Sequence, residues 1–150
     1  MEAFRVLVVD DETDFLETIV NRLRKRRIDA TGVSSGEAAL EIMKQQSFDA
    51  VILDVKMPGG MDGIEAFREI KKIQPLVEVI LLTGHASVET SIEGLKLGAF
   101  DYLLKPVKLD KLMQILGAAF EKKSSQEQKI RSAKIQDLLH TPEPDSNMEK

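Results

Sequence analysis

Carboxylates at two separate places in this sequence could share one ion, and a threonine and a lysine further along could complete the chemistry. The run Val6-Leu7-Val8-Val9 leads directly into Asp10-Asp11-Glu12, and a lone Asp54 interrupts the apolar run Val51–Val55. Thr83 follows Val77–Leu82, and Lys105-Pro106 follows Tyr102-Leu103-Leu104. Two carboxylates about 4 Å apart repel by roughly 4 kcal/mol at an effective dielectric near 20, so a cluster of three requires a counter-charge. All candidate ligands are oxygens and the chain has no cysteine, which favours a hard cation such as Mg²⁺. Magnesium keeps waters and readily takes phosphate oxygens, so the group handled there would be phosphoryl. One carboxylate acting as nucleophile would then give an acyl phosphate. Asp54 is the best placed, being central while Asp10 and Asp11 lie on a neighbouring strand. Lys105 would neutralise one phosphoryl oxygen and Thr83 would donate a hydrogen bond to another.

These residues meet only if the intervening chain folds to bring them together. The four apolar runs are β-branched or leucine-rich and do not alternate with polar residues, as in strands buried on both faces of a parallel sheet. A weaker strand at Asp29–Val33 suits a sheet edge. Between them lie helix-period stripes: Phe15, Leu16, Ile19, Val20 and Leu23; Ala38, Ala39, Ile42 and Met43; Ile64, Phe67, Ile70 and Ile73; Val88, Ile92 and Leu95; and Leu109, Leu112, Ile115, Leu116 and Phe120. Ser34 and Glu37 have capping-box spacing for the second helix, Asp62 opens the third, and Gly98 caps the end of the fourth. Five strands alternating with five helices read as an α/β sandwich with helices on both faces. Ligands in such sheets bind outside the carboxyl ends of the strands, where strand order reverses. Asp10, Asp11, Asp54, Thr83 and Lys105 all fall at that edge.

With 150 residues and 43% apolar content, the chain fits one domain with its own core. A net charge of −4 argues against direct nucleic-acid binding, which usually shows a basic face. No basic leader precedes Val6, and no stretch approaches the roughly 18 apolar residues of a membrane span. A soluble cytoplasmic protein is expected. Residues 1–122 read as the folded domain and 123–150 as a polar tail, helix-permissive to about Leu139 and disordered around Pro142 and Pro144.

Together, Val8-Val9-Asp10-Asp11-Glu12, Leu53-Asp54-Val55-Lys56-Met57-Pro58, Asp62-Gly63, Leu82-Thr83-Gly84, Gly98-Ala99 and Tyr102-Leu103-Leu104-Lys105-Pro106 resemble the receiver domain of two-component response regulators. The resemblance covers about residues 4–122. It implies a flavodoxin-like, doubly wound five-stranded parallel sheet in the order 2-1-3-4-5. It further implies that Asp54 is the phosphoacceptor, and that Mg²⁺ binds Asp11, Asp54 and the Lys56 carbonyl directly and Asp10 through water. Thr83 and Lys105 would contact the phosphoryl group, Lys105-Pro106 would be cis, and Thr83 with Tyr102 would form a switch acting on the face of helix 4, strand 5 and helix 5. The implied partners are a sensor histidine kinase or phosphotransfer protein and a downstream protein target, with homodimerisation through the last helices as in other family members. Such a protein catalyses only its own phosphorylation and dephosphorylation and is no dedicated enzyme. The chain resembles either a stand-alone receiver or the N-terminal receiver of a larger regulator, and the lack of an output domain suggests the former.

One departure stands out. The loop Met57-Pro58-Gly59-Gly60-Met61-Asp62-Gly63 is one residue longer than the commonest family form, and its paired glycines should allow unusual angles and mobility. Lys56, two residues after Asp54, and His85, two after Thr83, should flank the mouth of the site and modulate loss of the phosphoryl group. Blander readings make Thr83 a helix cap and Tyr102 a half-exposed strand aromatic. Among other functions, a phosphohydrolase using an aspartyl phosphate would need an acid where Lys56 stands. A flavin carrier would meet repulsion from Asp10-Asp11-Glu12, and a phosphorylation-independent interaction module would not need the constellation.

Overall fold

Strands that are apolar on both sides must be covered on both sides, and alternate residues here go to opposite layers. A computed structural model describes residues 3–84 and 88–140. The elements are β1 (Arg5–Val9), α1 (Thr13–Lys25), β2 (Asp29–Val33), α2 (Gly36–Met43), β3 (Ala50–Asp54), α3 (Gly63–Ile73), β4 (Glu78–Thr83), α4 (Val88–Lys96), β5 (Asp101–Leu104) and α5 (Leu109–His140). All neighbouring strands are parallel, in the order β2-β1-β3-β4-β5. Val6, Val8, Ile52, Ile80 and Leu82 face α1 and α5, where Leu16, Leu23, Leu112 and Leu116 complete one layer of core. Leu7, Val9, Val51, Leu53, Val79 and Leu81 face the other way, against Ala39, Met43, Phe67 and Ile70 of α2 and α3. Burying each such leucine or isoleucine contributes about 1.5–3 kcal/mol. The flavodoxin-like architecture expected from the resemblance is the one observed.

Local signals set the helix ends. The Asp62 carboxylate accepts the Glu65 N–H at 2.9 Å at the start of α3. At α2 the expected capping box does not form. Ser35, not Ser34, is the cap, its hydroxyl accepting the Ala38 N–H at 3.1 Å. The reason is register: Ser35 is extended and the helix begins at Gly36, one residue late for a box from Ser34. Glu37 is thereby released to accept the Met61 N–H at 3.2 Å, anchoring the long loop after β3. Gly59 in that loop takes φ 91°, and Gly98 closes α4 with φ 112°. Ala99 N–H bonds to Gly94 and Gly98 N–H to Leu95, completing the helix stop expected there. Arg27 makes the equivalent stop after α1 with φ 64°, a left-handed conformation that costs a non-glycine residue about 1–2 kcal/mol.

Two elements differ from expectation. The stripe of α4 is only in part its buried face: Leu95 packs on the core, but Ser91 and Gly94 turn inward and Ile92 is exposed. A Cβ on Gly94 would lie 2.4 Å from Leu81 Cδ1, so the helix sits too close to β4 for large side chains at that contact. The other is α5, which continues as one helix from the core to His140, although its last buried residue is Phe120. Ion pairs hold it where it leaves the sheet: Lys122 to the buried Glu78 at 3.2 Å and Lys123 to Asp49 at 3.1 Å. Residues 141–150, expected to be disordered, lie outside the described residues. No helix among the described residues is long and apolar enough to cross a membrane.

Candidate functional site

Sheet register brings the polar strand ends together. Val9 pairs with Leu53, so Asp10 stands beside Asp54 at the carboxyl edge. Leu82 pairs with Asp54, and the Lys105 N–H reaches the Thr83 carbonyl at 2.8 Å. One carboxylate oxygen from each of Asp10, Asp11 and Asp54 lies within 4.8 Å of the others. Asp10 and Asp54 are buried and Asp11 is exposed at the mouth. The open cleft over them measures about 400 Å³ and is lined by Asp11, Glu12, Asp54, Lys56, Pro58, Gly84 and Lys105.

The backbone holds the acids in place. Asp10 Oδ1 accepts the Glu12 N–H at 2.8 Å, and Asp54 Oδ1 accepts the Lys56 N–H at 3.2 Å. Gly63 lets the loop fold back beneath the site, because a Cβ there would lie 2.5 Å from the Asp54 carbonyl oxygen. Lys105 is the central cation, with Nζ 2.8 Å from Asp10, 3.3 Å from Glu12 and 3.6 Å from Asp54. The Lys105-Pro106 peptide is cis, as the resemblance implied.

Burial, and then the charge of Asp10, push the Asp54 carboxyl up to about 6, against the opposing Lys56 N–H and Lys105 ammonium. Burial works against the charge of Lys105, yet its contacts with Asp10, Asp54 and Glu12 prevail and raise its pKa. Lysine therefore stays cationic throughout the range in which Asp54 titrates.

Asp10 Oδ2 is buried and, apart from its ion contact with Lys105, receives no hydrogen bond. Buried oxygens of this kind call for an explanation. A hard divalent cation fits these residues, because the three acids offer oxygens only and one from each lies within 4.8 Å of the others.

Of the residues singled out from sequence, Asp10, Asp11, Asp54 and Lys105 converge. Lys56 lines the cleft with an exposed side chain. Thr83 is buried at the end of β4, and its hydroxyl donates to the Gly84 carbonyl at 2.9 Å rather than capping a helix. Tyr102 packs half-buried against the α2–α3–α4 layer. His85 lies outside the described residues. Sequence reasoning missed Phe15, whose ring centroid lies 4.6 Å from Lys105 Nζ; the apolar stripe of α1 had absorbed it. Glu12 was counted only as one of a run of acids, whereas it contacts Lys105.

Comparison with known proteins agrees with this geometry. The family described as response regulator receiver domain matches residues 6–117. The transcriptional regulatory protein ZraR of Escherichia coli (strain K12) is 41% identical over 114 residues, which are 76% of this chain and 26% of that protein. The chain thus spans about a quarter of the length of the curated relatives it matches. A response regulator receiver domain protein from Clostridium thermocellum superposes with TM-score 0.78 at 38% identity, covering 82% of this chain and 98% of that one. A structure described as adenylate cyclase from Rhodopirellula baltica superposes with TM-score 0.83 at 27% identity, covering 89% and 98% respectively.

Proposed function

Because the chain belongs to the response regulator receiver domain family, we propose that Asp54 accepts a phosphoryl group from the phosphohistidine of a sensor histidine kinase or phosphotransfer protein. The observation that carries this reading is the convergence of Asp10, Asp11, Asp54 and Lys105 at one cleft. A carboxylate oxygen of Asp54 attacks phosphorus, a P–O bond forms and the P–N bond to the kinase imidazole breaks. The leaving nitrogen keeps the bonding electron pair, and the product is an acyl phosphate on Asp54. With its pKa near 6, Asp54 is mostly ionised at neutral pH and so available as nucleophile. Lys105 remains cationic and turns from Asp54 toward the new phosphoryl oxygens. Asp10, Asp11, Asp54 and the Lys56 carbonyl would hold Mg²⁺, which when bound neutralises charge on the carboxylates and the phosphoryl oxygens.

The output is a shift between two states. The Thr83 hydroxyl, now on the Gly84 carbonyl, gains a stronger acceptor in a phosphoryl oxygen. Tyr102 then turns inward into the vacated space and reshapes the α4–β5–α5 face, which controls a downstream protein target. Lys56, at the cleft, sets the rate of phosphoryl loss together with His85, and an unchanged dephosphorylation rate in Lys56→Ala and His85→Ala would refute this. The protein acts in the cytoplasm without direct nucleic-acid contact and catalyses only its own phosphorylation and dephosphorylation. Residues 1–122 form the receiver, 123–150 the tail, and a homodimer forms through the last helices.

Incubation with acetyl phosphate and Mg²⁺ followed by intact-mass analysis tests the reading. One labile phosphoryl adduct is expected, absent in Asp54→Asn and lost on chelation of Mg²⁺. An adduct that persists in Asp54→Asn would refute it.

A further inference from the structure

At the opposite edge of the sheet, where the strands begin, α1 ends in a basic run: Arg22, Arg24, Lys25, Arg26 and Arg27 are all exposed. Five of the chain's 21 lysines and arginines fall in these six positions, although the net charge is −4. Cations in a last turn complement the helix dipole, which accounts for Arg22, Arg24 and Lys25. Arg24 also donates to the Ala30 carbonyl at 3.0 Å. Arg26 and Arg27 lie beyond that turn. Neither side chain has an ion-pair or hydrogen-bond partner among the described residues, and Arg27 occupies a left-handed position that a glycine would fill without strain.

Both arginines line one side of a groove between the end of α1 and the outer face of α5, about 550 Å³ in volume. Phe4, Ile28, Met113 and Phe120 give it an apolar floor. Phe4 is 44% exposed and stacks flat on Phe120, with ring centroids 4.0 Å apart. Gly117 keeps the groove open, since nothing lies within 4 Å of where its Cβ would be.

We propose that this groove docks a segment of a partner protein in which acidic residues flank an aromatic or aliphatic anchor. The anchor occupies the apolar floor beside Phe4 and Met113, and its flanking carboxylates take the free guanidinium groups of Arg26 and Arg27 in paired hydrogen bonds. A phosphodiester backbone would leave the floor unused and would meet the repulsion of a net acidic chain. The groove shares no residue with the Asp54 cleft, so docking does not require the Asp54 side chain.

Selection of a random short-peptide display library on the full chain, followed by fluorescence anisotropy of the enriched peptides, tests this. Enriched peptides should combine acids with an apolar anchor and bind Asp54→Asn as well as the parent. Arg26→Glu should weaken them about tenfold or more, with the loss growing smaller at high salt. Arg27→Gly removes a guanidinium while relieving backbone strain, so it should weaken binding without harming the fold. Enrichment without acidic bias, no enrichment, or equal binding by both arginine variants would overturn the proposal. So would arginine-dependent binding of a short DNA duplex in place of peptides, or self-association that the same variants abolish.

Discussion

Asp54 is a carboxyl group held where ionisation is disfavoured, and that has a measurable consequence. Its pKa rises from 3.8 to about 6 in the folded chain, by burial first and by Asp10 second. A folded-state pKa above the unfolded value means the native protein binds the extra proton. Stability is therefore greatest below pH 4 for this group and falls as pH rises through 4 to 6. Without Mg²⁺ at pH 7.5, Asp54→Asn should be the more stable protein by up to about 3 kcal/mol, and the gap should close toward pH 4. Urea unfolding in the presence of a chelator measures this, and an Asp54→Asn protein of equal or lower stability would count against the buried site. Lys105 offers a second check. A cation over an aromatic ring gains about 0.5–2 kcal/mol, so Phe15→Leu should slow phosphorylation by acetyl phosphate roughly two- to thirtyfold, read from initial rates. The placement of Asp10, Asp54, Thr83 and Lys105 at the carboxyl edge of the sheet was legible because each ends an apolar run and register does the rest. Phe15 and Glu12 were not, because the partner that gives them a role, Lys105, is far away in sequence.

At the level of elements, the loop after β3 and the switch proposed for β4–β5 make separate demands. Gly63 has backbone atoms of Asp54 and Val55 within 2.6 Å of a notional Cβ. Gly63→Ala must displace that backbone, and an overpacking cost of about 1–3 kcal/mol is expected in urea unfolding. Tyr102 is the only tyrosine and the chain has no tryptophan, so intrinsic fluorescence reports on that ring alone. Acetyl phosphate with Mg²⁺ should change the emission, and Thr83→Ala should abolish the change while still accepting phosphate. An emission change that survives Thr83→Ala would uncouple the two residues. Strands and four of the five helix faces followed from periodicity. The fifth, α4, followed only at Leu95: Gly94 sets its contact with β4, and a glycine carries no apolar signal. The Ser34–Glu37 spacing misled for a related reason, since Glu37 finds the Met61 N–H across the fold rather than its own helix start.

For the molecule as a whole, the parallel sheet places the acidic cleft of Asp10, Asp11 and Asp54 at one edge and the basic groove at the other, with α5 running on past the core. Side chains from Glu127 to His140 are exposed, while the anchoring pairs Lys122–Glu78 and Lys123–Asp49 lie before them. Removal of everything after Gln126 should therefore change unfolding free energy by less than about 0.5 kcal/mol; a larger loss would mean the extension packs on the domain. The buried Glu78 could not be understood from its own neighbourhood in sequence, because Lys122 meets it only once α5 has docked. The most direct test of the central claim is to locate the phosphoryl group itself. After treatment with acetyl phosphate and Mg²⁺, borohydride reduction of an acyl phosphate converts the modified aspartate to homoserine, which peptide sequencing by mass spectrometry can place. Homoserine at position 54 alone, and none when Mg²⁺ is chelated, is the expected result; homoserine at another acid, or at none, would contradict the assignment of Asp54.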